Sequence, residues 1–127
     1  MADRSLNEWL EYIEKKHPSE IDLGLERVNC VWSRIKSKFG ISKIANFHIS
    51  VAGTNGKGST VRCLEQILKS HGYRVGSFYS PHIFKFNERI KLDGISVSDR
   101  VIIESFKIIE ALRHEVSLTY FEFNTLC

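Results

Sequence analysis

The sequence predicts an α/β fold in which helices flank a parallel β-sheet. Residues 47–52 alternate apolar and polar side chains as a strand does, the glycine-rich segment GTNGKGS follows, and a helical pattern begins directly after it. A second strand pattern at 73–79 comes after that helix. A strand, a helix and a strand in this order imply a right-handed parallel crossover, with a ligand site at the carboxyl ends of the strands.

The glycine-rich turn, residues 53–59, is here called the phosphate loop because its composition suits anion binding. Gly53, Gly56 and Gly58 lack a Cβ, so their backbone can bend until several amides converge on an anion, and the next helix points its partially positive end there. Lys57 adds a full charge. The loop is shorter than the strict P-loop pattern and is therefore a variant of it. We expect a nucleotide triphosphate here; the alternative is a plain turn with a solvated lysine.

Two serines could supply metal ligands near this loop. Ser59 is predicted to be the N-cap of the following helix, a role compatible with binding Mg²⁺ through its hydroxyl. Ser80 falls at the carboxyl end of the second predicted strand, which is the same edge of the sheet. Its hydroxyl could complete a Mg²⁺ site or contact phosphate, or Ser80 could be an ordinary loop residue before Pro81.

Composition limits the possible functions. A chain of 127 residues is long enough for one domain. Its net charge is only +3, from 18 lysines and arginines against 15 acidic residues, and the basic residues are scattered, which argues against a nucleic-acid partner. Neither a stretch of about 18 apolar residues nor the apolar core of a signal peptide is present, so no membrane partner is expected. The three cysteines have no metal-binding spacing and suit a reducing, cytoplasmic compartment.

Local signals predict the helices before the phosphate loop. Ser5 and Glu8 form a capping box for a first helix that runs to Lys16. Apolar residues at helical spacing predict a second helix over 25–39, which Gly40 closes.

Further signals organise the second half of the chain. Residues 93–94 read Asp-Gly and predict a hairpin turn, and Ser98 or Asp99 is expected to cap a helix to about residue 113. Thr119 and Glu122 form a second capping box, so another helix is starting as the sequence stops. We therefore expect the chain to be the front part of a larger protein.

Four blocks of the sequence resemble the folylpolyglutamate synthase and dihydrofolate synthase branch of the Mur ligase family. They read IDLGLERV at 21–28, VAGTNGKGST at 51–60, SFYSPHIFKFNERI at 77–90 and LTYFEFNTL at 118–126. The shortened phosphate loop is that family's own form. The resemblance implies a P-loop-type sheet, with residues 1–127 as an incomplete N-terminal part of a Mur-ligase-like ATP-binding domain.

The resemblance also implies a reaction. Enzymes of this branch use ATP and Mg²⁺ to phosphorylate a carboxylate of dihydropteroate or a folate, and the amine of L-glutamate then attacks the acyl phosphate to form an amide. Positioning and electrostatic stabilisation of the transferred phosphoryl group supply most of the catalysis in such a step.

The site residues implied by the resemblance fall into three groups, with no residue assigned a catalytic role. They are Asn55, Gly56, Lys57, Gly58 and Ser59 for ATP, Ser80 for Mg²⁺, and Ile21, Asp22, Leu23, Thr119, Tyr120, Phe121 and Glu122 for the pterin-bearing substrate. Pattern alone also fits Tyr120 and Phe121 as core aromatics, Glu122 as no more than a capping residue, and Asp22 as a turn former.

Relatives continue beyond the last block with a second acidic metal ligand, a histidine ligand, a lysine that is carbamylated in many members and a separate glutamate-binding domain. None of these is in the 127 residues, so we expect the chain to be inactive by itself. A non-catalytic nucleotide-binding remnant is the alternative. A muramyl-peptide ligase is a weaker one, because IDLGLERV and TYFEF suit the folate branch.

Overall fold

The computed structural model of the chain describes residues 4–16 and 24–127. The described elements in chain order are α1 (Leu6–Glu14), α2 (Glu26–Phe39), α3 (Lys57–Ser70), β1 (Gly76–Phe78), a 3₁₀ turn (Phe86–Arg89), β2 (Ile90–Leu92), β3 (Ile95–Ser96), α4 (Asp99–Arg113) and α5 (Tyr120–Leu126). The chain divides into two compact units, Met1–Ile44 with Arg100–Cys127, and Ala45–Asp99. The assignment of residues 1–127 to one partial domain stays a prediction.

The first unit is helical and contains an aromatic core. The ring of Phe106 in α4 lies 5.5 Å from that of Phe123 in α5 and 6.1 Å from that of Trp9 in α1, measured between centroids. The buried apolar residues of this unit are Leu6, Trp9, Ile13, Val31, Ile35, Ile102, Phe106, Ile109, Leu118 and Phe123. The buried apolar residues of α1 and α4 recur at helical spacing, as the sequence pattern predicts. In the α2 pattern, Leu25 and Phe39 are exposed.

The predicted local signals of this unit are confirmed. The Ser5 amide donates to the Glu8 carboxylate at 2.7 Å, and the Glu8 amide donates back to the Ser5 hydroxyl at 3.4 Å. Gly40 ends α2 with a left-handed φ of 63°. The capping box of Thr119 and Glu122 starts α5. These signals succeed because each bond joins residues that are close in sequence.

The second unit places α3 beside a small antiparallel sheet in the order β1, β2, β3. Ser77 lies opposite Lys91 in the pairing of β1 with β2, and Leu92 lies opposite Ile95 in the pairing of β2 with β3. The predicted hairpin at 93–94 is confirmed, with φ values of 51° at Asp93 and 83° at Gly94.

The α/β class is confirmed, but the sheet of the described residues is antiparallel, which corrects the expected parallel order. β1 pairs with β2, which follows it in sequence, and no strand forms at 47–52 in the part of the chain that the structure describes. The side chains of Phe47 and Ile49 are exposed. Their alternation favours a strand, but a strand also needs a hydrogen-bonding partner, and none of the described segments pairs with this one.

Candidate functional site

The phosphate loop leads directly into α3 through glycine conformations. Gly53 has φ of 152°, and Gly56 is the N-cap of α3 with φ of 75°. The predicted N-cap role of Ser59 is therefore wrong, because the left-handed bend at Gly56 starts the helix at Lys57 and leaves Ser59 inside the first turn. The loop residues are exposed, including Asn55.

The start of α3 presents main-chain amides. The Thr60 amide donates to the Gly56 carbonyl oxygen at 2.9 Å, so the amides of Lys57, Gly58 and Ser59 precede the first bond of the helix. No side chain of the described residues caps this end. Free amides and the positive end of the helix dipole together favour an anion, so this is the site geometry that the sequence predicts.

Lys57 holds the phosphate loop closed. Its Nζ donates to the carbonyl oxygens of Gly53 at 2.6 Å and Thr54 at 3.3 Å. An ammonium group has three donor hydrogens, so one remains for a ligand. Lys57 can therefore contribute charge to a bound phosphate without leaving the loop.

Two contacts show that the carboxyl end of β1 lies at the amino end of α3. The Ser77 hydroxyl donates to Oε2 of Glu65 at 2.6 Å, two turns into the helix. Further along the same strand, Cδ2 of Tyr79 lies 4.0 Å from the position that a Cβ on Gly58 would occupy. Ser77 therefore lies beside the middle of α3, and Tyr79 lies beside its first turn, next to the phosphate loop. Ser80 follows Tyr79 directly and is exposed.

The segment after Ser80 is held by one carboxylate. Glu88 accepts hydrogen bonds from the amides of Ile83, Phe84 and Lys85 at 2.9, 3.0 and 2.8 Å. These backbone hydrogen bonds lower the pKa of Glu88. The side chains of Ile83 and Phe84 remain exposed. The loop is therefore ordered by its backbone while its apolar side chains face outwards.

The metal-binding capacity of the described residues is limited. They contain no group of three or more histidine, cysteine, aspartate or glutamate side chains that could hold a metal ion. Hydroxyl oxygen is a suitable hard donor for Mg²⁺, which also keeps waters and binds substrate phosphates. The exposed Ser80 hydroxyl thus fits a single ligand of a Mg²⁺ ion that ATP would share.

Some of the residues predicted to contact the pterin-bearing substrate lie in the part of the chain that the structure describes, and the others do not. Ile21, Asp22 and Leu23 lie outside the described residues. The others belong to the helical unit, in which Thr119 is buried, Tyr120 half-buried and Phe121 exposed.

Glu122 is engaged by protein donors on both sides of its carboxylate. The Thr119 amide donates to Oε2 at 2.8 Å, and Nε of Arg27 lies 3.1 Å from both carboxylate oxygens, while its Nη2 lies 2.9 Å from Oε1. The structure thus shows the capping role of Glu122. Sequence reasoning did not find Arg27, because no local signal indicates a partner 95 positions away.

No family model matches the chain. A curated relative, the dihydrofolate synthase/folylpolyglutamate synthase of Escherichia coli, is 47% identical over 125 residues, which are 98% of this chain and 29% of the relative. Among solved structures, E. coli FolC in complex with DHPP and ADP superimposes with a TM-score of 0.91 at 46% identity, covering 99% of this chain and 30% of that one.

A bifunctional folylpolyglutamate synthase/dihydrofolate synthase from Yersinia pestis, complexed with AMPPNP and a Mn ion, gives a TM-score of 0.89 at 45% identity, again covering 99% of this chain and 30% of that one. The chain matches the N-terminal portion of the folylpolyglutamate synthase and dihydrofolate synthase branch. The predicted resemblance and the Mur-ligase-like fold are confirmed. The chain spans about 30% of the length of these folate-branch relatives.

Proposed function

We propose that the chain is the N-terminal, nucleotide-binding part of an ATP-dependent ligase that joins L-glutamate to dihydropteroate, to folates or to both through an acyl phosphate. The observation that carries the proposal is the meeting of the carboxyl end of β1 with the open amino end of α3, which brings the segment before Ser80 to the phosphate loop. The complexes of relatives with ADP, with AMPPNP and Mn, and with L-glutamate agree with it.

In this proposal, each element of the second unit has one task. The amides of residues 57–59 bind the phosphate oxygens of ATP, and Lys57 offsets their charge with its remaining donor. Asn55 lines the loop, and Ser80 supplies one oxygen ligand to Mg²⁺, which, when bound with ATP, neutralises charge on the transferring phosphoryl group. Because the amides are fixed by the start of α3, they need no rearrangement when charge develops.

The pterin-bearing substrate would be bound by the first, helical unit of the chain. We assign pteroate contacts to Tyr120 and Phe121, next to the buried Thr119 and Glu122, and to Ile21, Asp22 and Leu23. Phe121 is 54% exposed, and aromatic side chains pack favourably against flat aromatic groups. The hydrogen bonds from Nε of Arg27 to both carboxylate oxygens of Glu122 support a positioning role for Glu122, since they hold the start of α5 in place.

We assign the protein to the cytoplasm. Cys30, Cys63 and Cys127 are free thiols, which suits a reducing compartment. Along the described part of the chain, every helix is too short or too polar to cross a membrane.

One observation favours the alternative of a non-catalytic nucleotide-binding protein. The described residues hold no acidic or histidine cluster for a metal, so this chain would contribute only part of a catalytic metal site. Both a ligase and a non-catalytic protein would bind the nucleotide, but only the ligase would convert ATP to ADP.

The first experiment measures MgATP binding to the chain by titration calorimetry. We expect weak binding by the wild type and at least a tenfold loss in Lys57→Met, because the variant removes the charge and the donor at the loop. Lys69→Met is the matched control, since Lys69 lies at the other end of α3. Equal affinity of the wild type and Lys57→Met would contradict the proposed phosphate site.

The second experiment distinguishes a ligase from a non-catalytic nucleotide-binding protein. In a chimera, this chain replaces the matching 125 residues of the E. coli relative. We expect ADP formation that depends on L-glutamate and on either dihydropteroate or a folate. A folded chimera that binds MgATP but forms no ADP would favour the non-catalytic alternative.

A further inference from the structure

Lys91 is a buried lysine on the side of the sheet that faces α3. Only 9% of its surface is exposed, and it lies opposite Ser77 in the pairing of β2 with β1. Side chains of directly paired residues stand on the same face of a sheet. Since the Ser77 hydroxyl reaches Glu65 of α3, the Lys91 side chain lies on this face too.

The ammonium group of Lys91 leans towards the start of α3. Its Nζ lies 5.5 Å from the centroid of the Tyr79 ring, and Tyr79 is the residue whose ring contacts the Gly58 position. The charge is therefore displaced from Ser77 towards the carboxyl end of β1.

Lys91 forms no ion pair with any residue that the structure describes. Its ammonium group instead lies over the ring of Tyr79. The acidic side chain on the same face is Glu65, which accepts the hydrogen bond from Ser77. Lysine is rarely buried without a partner, because desolvation of its charge is unfavourable. An anion at the phosphate loop would supply the missing opposite charge.

We propose that Lys91 is a second cationic group of the nucleotide site, acting on the polyphosphate through its charge beside Tyr79. This inference rests on the proposed function, since it needs a nucleotide at residues 53–59. Lys57 spends two of its donor hydrogens on the carbonyl oxygens of Gly53 and Thr54. A second positive charge, from Lys91 on β2, would therefore increase the electrostatic attraction for a ligand that carries several negative charges. The effect grows with the negative charge of the ligand and weakens with added salt.

The test compares ATP, ADP and AMP binding to the full chain at two salt concentrations, with Mg²⁺ absent. We expect Lys91→Met to bind ATP about three- to tenfold more weakly, ADP less affected and AMP least, with the difference shrinking in high salt. Lys91→Arg should keep the wild-type pattern because it keeps the charge. Lys69→Met, at the far end of α3, should match the wild type.

Three results would overturn the inference. Unchanged affinities in Lys91→Met, with Lys57→Met still defective, would remove Lys91 from the site and leave the proposed function intact. An equal loss for all three nucleotides would indicate a packing effect. Absence of nucleotide binding by the wild type would refute the proposed function and this inference with it. If Lys91→Met does not fold, as judged by circular dichroism, Lys91→Gln is measured by the same criteria.

Discussion

Glu110 on α4 is the centre of a buried charged network that ties α4 to α1. Nε and Nη2 of Arg113 donate to its carboxylate at 2.8 and 2.7 Å, and the Tyr12 hydroxyl donates to Oε1 at 2.7 Å. Lys16 lies 3.3 Å away. Burial by itself would raise the pKa of Glu110, but the hydrogen bonds from Arg113 and Tyr12 and the charges of Arg113 and Lys16 lower it from 4.5 to about 2.

The lowered pKa sets both the size and the pH dependence of the stabilisation. The pKa of Glu110 is about 2 in the folded state and 4.5 in the unfolded state. At 1.36 kcal/mol per pH unit, this difference stabilises the folded state by about 3 kcal/mol. Because the folded-state pKa is the lower one, this contribution is fully present above pH 4.5 and is lost as the pH falls towards 2. The change Glu110→Gln should therefore cost about 2–3 kcal/mol at pH 7 and much less near pH 2.5.

The measurement is urea unfolding followed by tryptophan fluorescence from pH 7 to pH 2.5. Trp9 and Trp32 both belong to the first unit, so the signal reports the unit that contains Glu110. Glu104→Gln is the control, because Glu104 is exposed and its pair with Lys107 should contribute under about 0.5 kcal/mol. A Glu110→Gln variant as stable as the wild type at pH 7, or a stability difference that stays constant down to pH 2.5, would refute the reasoning.

Two further predictions concern the phosphate loop and the thiols. Gly56 and Gly40 both have left-handed φ, with no atoms within 4 Å of an added Cβ, so Gly56→Ala and Gly40→Ala should each cost about 1 kcal/mol in thermal unfolding. Only Gly56→Ala should weaken ATP binding; equal effects of the two variants on affinity would contradict its role. Burial raises the pKa of Cys127 to about 11, so at pH 8 a thiol reagent should label the exposed Cys30 and Cys63 quickly and Cys127 slowly. Three equal labelling rates would contradict this.

The accuracy of the sequence predictions follows the sequence distance over which each interaction acts. The capping boxes, the αL glycine at Gly40 and the Asp93–Gly94 hairpin were predictable because their hydrogen bonds join near neighbours. The glycine turn that leads into α3 was predictable for the same reason, since its glycines are contiguous, and its role as a phosphate site stays a prediction. The start of α3 was placed too late because Gly56 can cap a helix by its φ alone, without the side-chain oxygen that the sequence signal looks for.

The sequence by itself determined the helices, the hairpin, the phosphate loop and the family resemblance, because short-range geometry and residue type decide them. Only the tertiary structure decided which strands pair, that Arg27 holds Glu122, and that Lys91 lies over Tyr79 on the face towards α3. These contacts join residues that the chain alone leaves far apart. Their formation depends on how buried faces pack, and no local pattern of residues encodes that choice.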